Sequence, residues 1–147
     1  ILILGSLPGD ASLVAGEYYA HPRNAFWPII GALLQIELTR LPYPERYQQL
    51  QEHGIALWDV IANAKRQGSL DTAIADATVN PLSTWCRELP QLQLVAFNGK
   101  AAARHGSKAI PEYLQQAVLS SSSPAHTLGF EQKLAIWQQE LQPYLML

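Results

Sequence analysis

The sequence predicts an α/β fold, a three-layer α/β/α sandwich around a four-stranded parallel sheet. Short apolar runs alternate with longer segments of helical periodicity, and this alternation is typical of parallel strands joined by helical crossovers. A glycine or a polar residue closes each apolar run. Because the carboxyl ends of parallel strands share one edge, where ligands bind in such sheets, we expect the turns after the strands to form a site.

The strands are predicted at four apolar runs, residues 1–4, 55–58, 92–97 and 117–119. An all-apolar run such as Ile1–Leu4 is typical of a strand buried on both faces. Apolar spacing and turn signals predict helices at 26–34, 45–52, 81–89, 100–104 and 130–141. We expect Asn24 to cap the first helix, and the last helix to carry an apolar face of Phe130, Leu134, Trp137 and Leu141. The segment from Asp59 to Gly68 is interpreted as a loop or a short helix.

Length and composition indicate one globular domain over residues 1–147, and we expect it to be a monomer. Hydrophobic residues make up 48% of the chain and charged residues 15%, which is far from the composition of disordered segments. The chain begins with Ile1 inside a predicted strand, so we expect further residues upstream of it.

Cysteine content and charge bear on the cellular setting and the partners. The single cysteine, Cys86, lies in an apolar helical stretch and is interpreted as a buried thiol in the reducing cytoplasm. No apolar run reaches the roughly 18 residues needed to cross a bilayer, so we expect no contact with membranes. A net charge of −2 provides no overall basic field, and binding of nucleic acid would therefore depend on a local patch.

The turns after the predicted strands carry the candidate functional groups. They present Gly5 and Ser6 after the first strand, Asp59 after the second, Asn98 after the third and the run 120–123 after the fourth. The loop after the first turn adds flat aromatic rings, an amide and a cation at Tyr18, Tyr19, Arg23 and Asn24. Such a mixture suits recognition of a planar polar ring such as a nucleobase.

Each of these residues also has a purely structural interpretation. Asn24 alone is more often a helix cap than a catalytic group, Tyr18 and Tyr19 could be packing residues, and the serine run could be a solvated loop. Metal binding is poorly supported, because none of the four histidines pairs with Cys, Asp or another His at ligand spacing. A dinucleotide fingerprint and a Walker loop are absent. A serine hydrolase would have to use Ser6 or Ser123 with His126, without the usual nucleophile elbow.

Four motifs together resemble the uracil-DNA glycosylase superfamily. They are GSLPGDAS followed by YYAHPRNAFW, LWDVI after strand two, FNGKAA after strand three and SSSPAHT after strand four. Within that superfamily the chain most resembles the hypoxanthine-DNA glycosylase branch, and its H-P-x-N-x-F-W string is also similar to that of the mismatch-specific uracil glycosylases. The resemblance spans nearly the whole chain.

The resemblance implies specific roles for the candidate residues. Superfamily members active on uracil carry a water-positioning Asp or Asn in the first motif, whereas this chain has Gly5–Pro8 there; the hypoxanthine branch instead implies that Asn24 is the catalytic residue. Base contacts are implied at Gly5, Ser6, Tyr18, Tyr19, Asp59 and Asn98, with Tyr19 stacking on the flipped base. DNA contacts are implied at Pro8, Arg23, Lys100, Ser121, Ser122, Ser123, Pro124 and His126. Other members often have a histidine where Ser121 lies here.

The predicted activity is that of a monofunctional DNA glycosylase. It would hydrolyse the N-glycosidic bond of a deaminated base in DNA, hypoxanthine first and uracil or xanthine second, as a step of base excision repair. We expect it to need no cofactor and no metal. The alternative is a non-catalytic nucleic-acid or nucleobase-binding domain of the same fold.

Overall fold

A four-stranded parallel sheet forms the centre of the structure, which is a computed structural model that describes residues 1–7, 10–65 and 75–145. The strands are β1 (Leu2–Gly5), β2 (Ala56–Asp59), β3 (Ile61–Lys65), β4 (Ala75–Val79), β5 (Leu94–Asn98) and β6 (Gln115–Leu119). The order in the sheet is β2-β1-β5-β6, with every neighbouring pair parallel. The predicted four-stranded parallel sheet is confirmed.

The five predicted helices are present, and one further helix lies in the stretch after the first strand that was predicted as a loop. They are α1 (Asp10–Ala15), α2 (Phe26–Leu34), α3 (Tyr43–Glu52), α4 (Leu82–Arg87), α5 (Lys100–Gly106) and α6 (Phe130–Leu141). Short 3-10 helices lie at Leu38–Arg40, Ser107–Ala109 and Gln142–Tyr144. None of the helices in the described ranges is long and apolar enough to cross a membrane.

Two apolar clusters, one on each face of the sheet, make the sandwich. Alternate residues of a strand point to opposite faces, so Ile3 packs with the α2 and α6 side while Leu4 packs with the α4 and α5 side. The first cluster holds Trp137, which is fully buried, and the second holds the buried thiol of Cys86. Helices therefore cover both faces of the sheet, as expected for an α/β/α sandwich.

Two expectations from the sequence are wrong. The segment predicted as a loop or short helix from Asp59 contains strand β3, which pairs antiparallel with β4 outside the main sheet. Residues 66–68 of that segment lie outside the described residues. The apolar face of α6 also differs, since Phe130 is 40% exposed while Lys133 is buried beside Trp137.

Helix α2 begins directly after the loop that carries Asn24. Its N-cap is Ala25 rather than Asn24, but Oδ1 of Asn24 accepts a hydrogen bond from the Phe26 N–H at 2.9 Å. The expected cap is therefore one residue out of place, although the side chain still satisfies one of the amides that have no partner within the helix. The helix ends at Gln35, which adopts a left-handed φ of 59°.

We predict that Gly31→Ala destabilises the protein, against the usual preference for alanine in helices. A Cβ on Gly31 would lie 2.7 Å from the Ile36 carbonyl oxygen, a backbone atom that cannot move away cheaply. The free energy of unfolding should fall by about 1–3 kcal/mol in a urea titration. The control is Gln35→Gly, which relieves a left-handed non-glycine residue and should raise stability by up to about 1 kcal/mol. Equal or greater stability of Gly31→Ala would contradict the packing.

Candidate active site

The carboxyl ends of the parallel strands bring the predicted turns to one edge of the sheet. The register aligns Gly5 with Asp59 across β1 and β2, and Asn98 with Leu119 across β5 and β6. The serine-rich loop, residues 120–126, begins immediately after Leu119. Gly5, Asp59, Asn98 and the start of the loop therefore share an edge, as the alternation of strands and helices predicts.

Gly5 allows two functional groups to approach the end of β1. A Cβ at this position would lie 2.9 Å from Oδ1 of Asp59 and 3.1 Å from the hydroxyl oxygen of Tyr19. A larger residue here would force the Asp59 carboxylate and the Tyr19 hydroxyl to move, so glycine permits their close approach to the strand end. The neighbouring Ser6 is 5% exposed, and Asn80 steadies the turn by donating from Nδ2 to the Asp59 carbonyl at 2.8 Å.

Tyr18 lies near the carboxylate of Asp59. Burial, then the nearby carboxylate of Asp59, and then Tyr47 raise the pKa of Tyr18 to about 12. The neutral phenol is favoured because an anion would lose hydration and face a like charge. The Tyr18 hydroxyl therefore stays protonated at physiological pH and keeps its capacity to donate a hydrogen bond.

Two aromatic side chains hold the main chain of Tyr18. Its N–H donates to the Tyr47 hydroxyl at 3.0 Å, and its carbonyl accepts from Trp27 Nε1 at 2.9 Å. The next residue, Tyr19, has a φ of 54°, and its ring stacks on Phe26 with centroids 4.2 Å apart. The left-handed backbone of a bulky residue is costly, so these contacts from α2 and α3 are needed to maintain it.

A buried pair of residues joins the third strand to the serine-rich loop. Nδ2 of Asn98 donates to Oγ of Ser122, and the Ser122 N–H donates to Oδ1 of Asn98, each at 2.9 Å. The carbonyl of Ser122 in turn accepts from the Ala25 N–H at 2.9 Å. Both ends of the Asn98 carboxamide are thus engaged inside the protein, and a contact between Asn98 and a base stays a prediction.

Two further hydrogen bonds lie within the serine-rich loop itself. Ser123 N–H donates to Oγ of Ser121, and Ala125 N–H donates to Oγ of Ser123, each at 3.2 Å. These are local turns of the kind that serine side chains favour. Pro124 and His126 are exposed beyond them. The Ser123 hydroxyl thus accepts a main-chain N–H, and this contact gives no support to a serine nucleophile activated by His126.

A groove of about 380 Å³ separates the loop that carries Asn24 from the serine-rich loop. Its lining includes Pro22, Arg23, Asn24, Pro124, His126 and Lys133. It therefore brings together several residues that the sequence assigns to catalysis and DNA contact. Lys100 is exposed at the start of α5 and is not among the lining residues, and Pro8 lies outside the described residues.

Three residues of the site were not identified from the sequence. Tyr47 and Trp27 hold Tyr18, and Lys133 donates from its amine to the Ser123 carbonyl at 3.1 Å. The spacing of Lys133 four residues before Trp137 indicates that the lysine shares the buried face of α6. No such local signal exists for Tyr47, whose partner is 29 positions away in the chain.

Metal binding has no support among the described residues. Within residues 1–7, 10–65 and 75–145, no group of three His, Cys, Asp or Glu side chains is arranged to hold a metal ion.

Comparisons with known proteins point to one family. The chain matches the model of the uracil DNA glycosylase superfamily over residues 1–141. A hypoxanthine DNA glycosylase of Methanosarcina barkeri is 37% identical over 139 residues, which cover 95% of this chain and 88% of that protein. A hypoxanthine DNA glycosylase of Methanosarcina acetivorans is 34% identical over 138 residues, covering 94% and 87%.

A solved structure agrees with the family in fold. The solution NMR structure of a candidate uracil DNA glycosylase from Methanosarcina acetivorans superposes with a TM-score of 0.85 and 32% identity, covering 97% of this chain and 88% of that one. The family match, the two relatives and the shared fold extend over almost the whole sequence. The chain belongs to the uracil DNA glycosylase superfamily.

Proposed function

We propose that this protein is a monofunctional DNA glycosylase that removes hypoxanthine from DNA, and uracil or xanthine less efficiently, as the first step of base excision repair. The observation that carries the proposal is the position of Asn24, which lines the groove and is followed by Ala25, bonded to the serine-rich loop. The two relatives named hypoxanthine DNA glycosylase support this substrate.

Recognition of the base would depend on the side chains of Asp59, Tyr18 and Tyr19 near Gly5. The target base must leave the duplex, at a cost of a few kcal/mol, before its sugar can be reached. Stacking on Tyr19 would offset part of that cost, by roughly 1–3 kcal/mol per base. The site thereby favours bases in poor pairs, which cost least to extrude.

The carboxylate of Asp59 offers a reason for choosing hypoxanthine over adenine. Hypoxanthine carries a hydrogen on N1 and can donate it to a carboxylate, whereas N1 of adenine is an acceptor and would repel one. The protonated Tyr18 hydroxyl supplies a donor for the O6 oxygen of hypoxanthine, a position at which adenine carries an amino group. Uracil and xanthine also present a ring N–H beside a carbonyl, so the same two contacts would accept them as secondary substrates.

Hydrolysis would use Asn24 to orient water. As the N-glycosidic bond stretches, positive charge grows on the sugar and negative charge on the base. A neutral carboxamide does not remove a proton at pH 7; its contribution is to hold the water near the C1′ carbon of the sugar. Main-chain amides in the turn after β1 would stabilise the departing base in the manner of an oxyanion hole.

The alternative function is a non-catalytic nucleic-acid or nucleobase-binding domain. The specific observation in its favour is that Gly5, Ser6 and Leu7 supply neither a carboxylate nor an amide side chain at the end of β1. Such a domain would keep the base pocket and the groove but would have no use for a water-positioning group.

The first prediction from this proposal concerns substrates and Asn24. Duplexes with one deoxyinosine, deoxyuridine or deoxyxanthosine are incubated with the protein, and alkali then reveals abasic sites. We expect excision of hypoxanthine to be fastest, and Asn24→Ala to lose about a hundredfold or more in single-turnover rate while keeping its affinity for DNA. If none of the three bases is excised at low or moderate salt, the proposed glycosylase activity is refuted and the non-catalytic binding domain remains as the alternative.

The second prediction concerns Tyr47. Tyr47→Phe leaves the Tyr18 N–H without its acceptor, a loss of about 1–3 kcal/mol, so excision should slow by about tenfold or more. Affinity for a duplex with a tetrahydrofuran abasic analogue should stay unchanged, because that ligand has no base. Tyr43→Phe, which removes a hydroxyl from the same aromatic cluster, is the matched control and should excise at the normal rate. Equal losses in both variants would show that Tyr47 has no special part in positioning Tyr18.

A further inference from the structure

We propose that Lys133, a residue of α6, supplies a positive charge to a phosphodiester of the DNA backbone in the groove beside Asn24. The proposal rests on the function proposed above, because that function makes DNA the source of the anion. It adds a residue of α6 that neither the motifs nor the resemblance points to.

The surroundings of Lys133 are unusual for an ammonium group. The residue is 4% exposed, and its amine donates to the neutral carbonyl of Ser123 at 3.1 Å. That carbonyl already accepts the His126 N–H at 3.0 Å. Burial lowers the pKa of Lys133, which means that the surrounding residues do not compensate fully for the lost hydration. A nearby anion would supply the missing compensation.

The groove has the electrostatic character of an anion site. Arg23, His126 and Lys133 line it together, and none of its lining residues is acidic. This local excess of basic groups contrasts with the net charge of −2 of the whole chain. A small basic patch on an otherwise acidic protein is what local phosphate contact requires.

The position of Lys133 in α6 supports the same conclusion. It is the fourth residue of a helix that begins at Phe130, so it lies near the positive end of the helix dipole. A cation is disfavoured there, whereas an anion in the groove would interact favourably with both the helix and the amine. Asn24 lines the same groove, and a phosphate held there would lie close to the nucleotide whose sugar is attacked.

A salt titration of DNA binding tests the proposal. The probe is a duplex with a tetrahydrofuran abasic analogue, measured between about 50 and 200 mM salt, where each phosphate contact contributes about 0.9 to the slope of log affinity against log salt. We expect Lys133→Met to reduce the magnitude of that slope by about 0.9 and to weaken binding at low salt. Lys133→Arg keeps the charge and should keep the slope.

Lys108→Met is the matched control, because it removes the same charge from an exposed site. Lys108 lies in the 3-10 helix Ser107–Ala109. The Ser107 carbonyl accepts a hydrogen bond from Gln116, near the start of β6, so this helix is away from the carboxyl edge of the sheet. Its slope should equal that of the wild type. Should Lys133→Met fail to fold, Arg23→Ala removes an exposed cation from the same groove, and the magnitude of the slope for this variant should also fall.

A merely structural role for Lys133 makes a different prediction. If the lysine only donates its hydrogen bond to Ser123, Lys133→Met lowers the thermal midpoint or weakens DNA binding equally at all salt concentrations. The slope of log affinity against log salt then stays unchanged, and that result overturns the proposal. An unchanged slope in Arg23→Ala would overturn it as well. The abasic probe measures binding without excision. If the slopes are as expected but no base is excised, the proposed reaction is refuted and the phosphate contact of Lys133 is still supported.

Discussion

The reciprocal hydrogen bonds between Asn98 and Ser122 are the constraint on which the rest of the site depends. The two side chains are 6% and 1% exposed, so their polar groups would be costly to leave unpaired. Through the Ser122 carbonyl the pair also holds the Ala25 N–H. Three separate parts of the chain, the end of β5, the serine-rich loop and the start of α2, are thereby fixed in one arrangement. Asn24 and the groove take their positions from it.

Much of this arrangement could be predicted from the sequence because it follows from local patterns and parallel topology. Apolar runs indicated the strands, and the rule that their carboxyl ends share an edge brought Gly5, Asp59 and Asn98 together. The pairing of β3 with β4 was missed because the strand character of Ile61–Lys65 depends on its antiparallel partner Ala75–Val79, which carries no long apolar run. Lys133 was missed because a charged residue on a helix is ordinarily assigned to solvent. The hydrogen bond from Tyr18 to Tyr47 has no sequence pattern at all.

The site divides its tasks between two regions. Under the proposed function, the cluster of Gly5, Asp59, Tyr18 and Tyr19 would contact the flat base and its ring N–H. The groove between the Asn24 loop and the serine-rich loop is suited to the sugar and phosphate. Under the same proposal, Asn24, which lines the groove, would position the water.

Amide hydrogen exchange of Asn98→Ala tests most directly whether the Asn98 and Ser122 pair fixes the loop that carries Asn24. Loss of the carboxamide removes the acceptor of the Ser122 N–H and should cost about 1–3 kcal/mol locally. The account predicts that the amides of both Ser122 and Ala25 exchange about ten- to a hundredfold faster than in the wild type, although Ala25 does not contact Asn98 through its N–H. Unchanged protection of Ala25, with only Ser122 affected, would contradict the account.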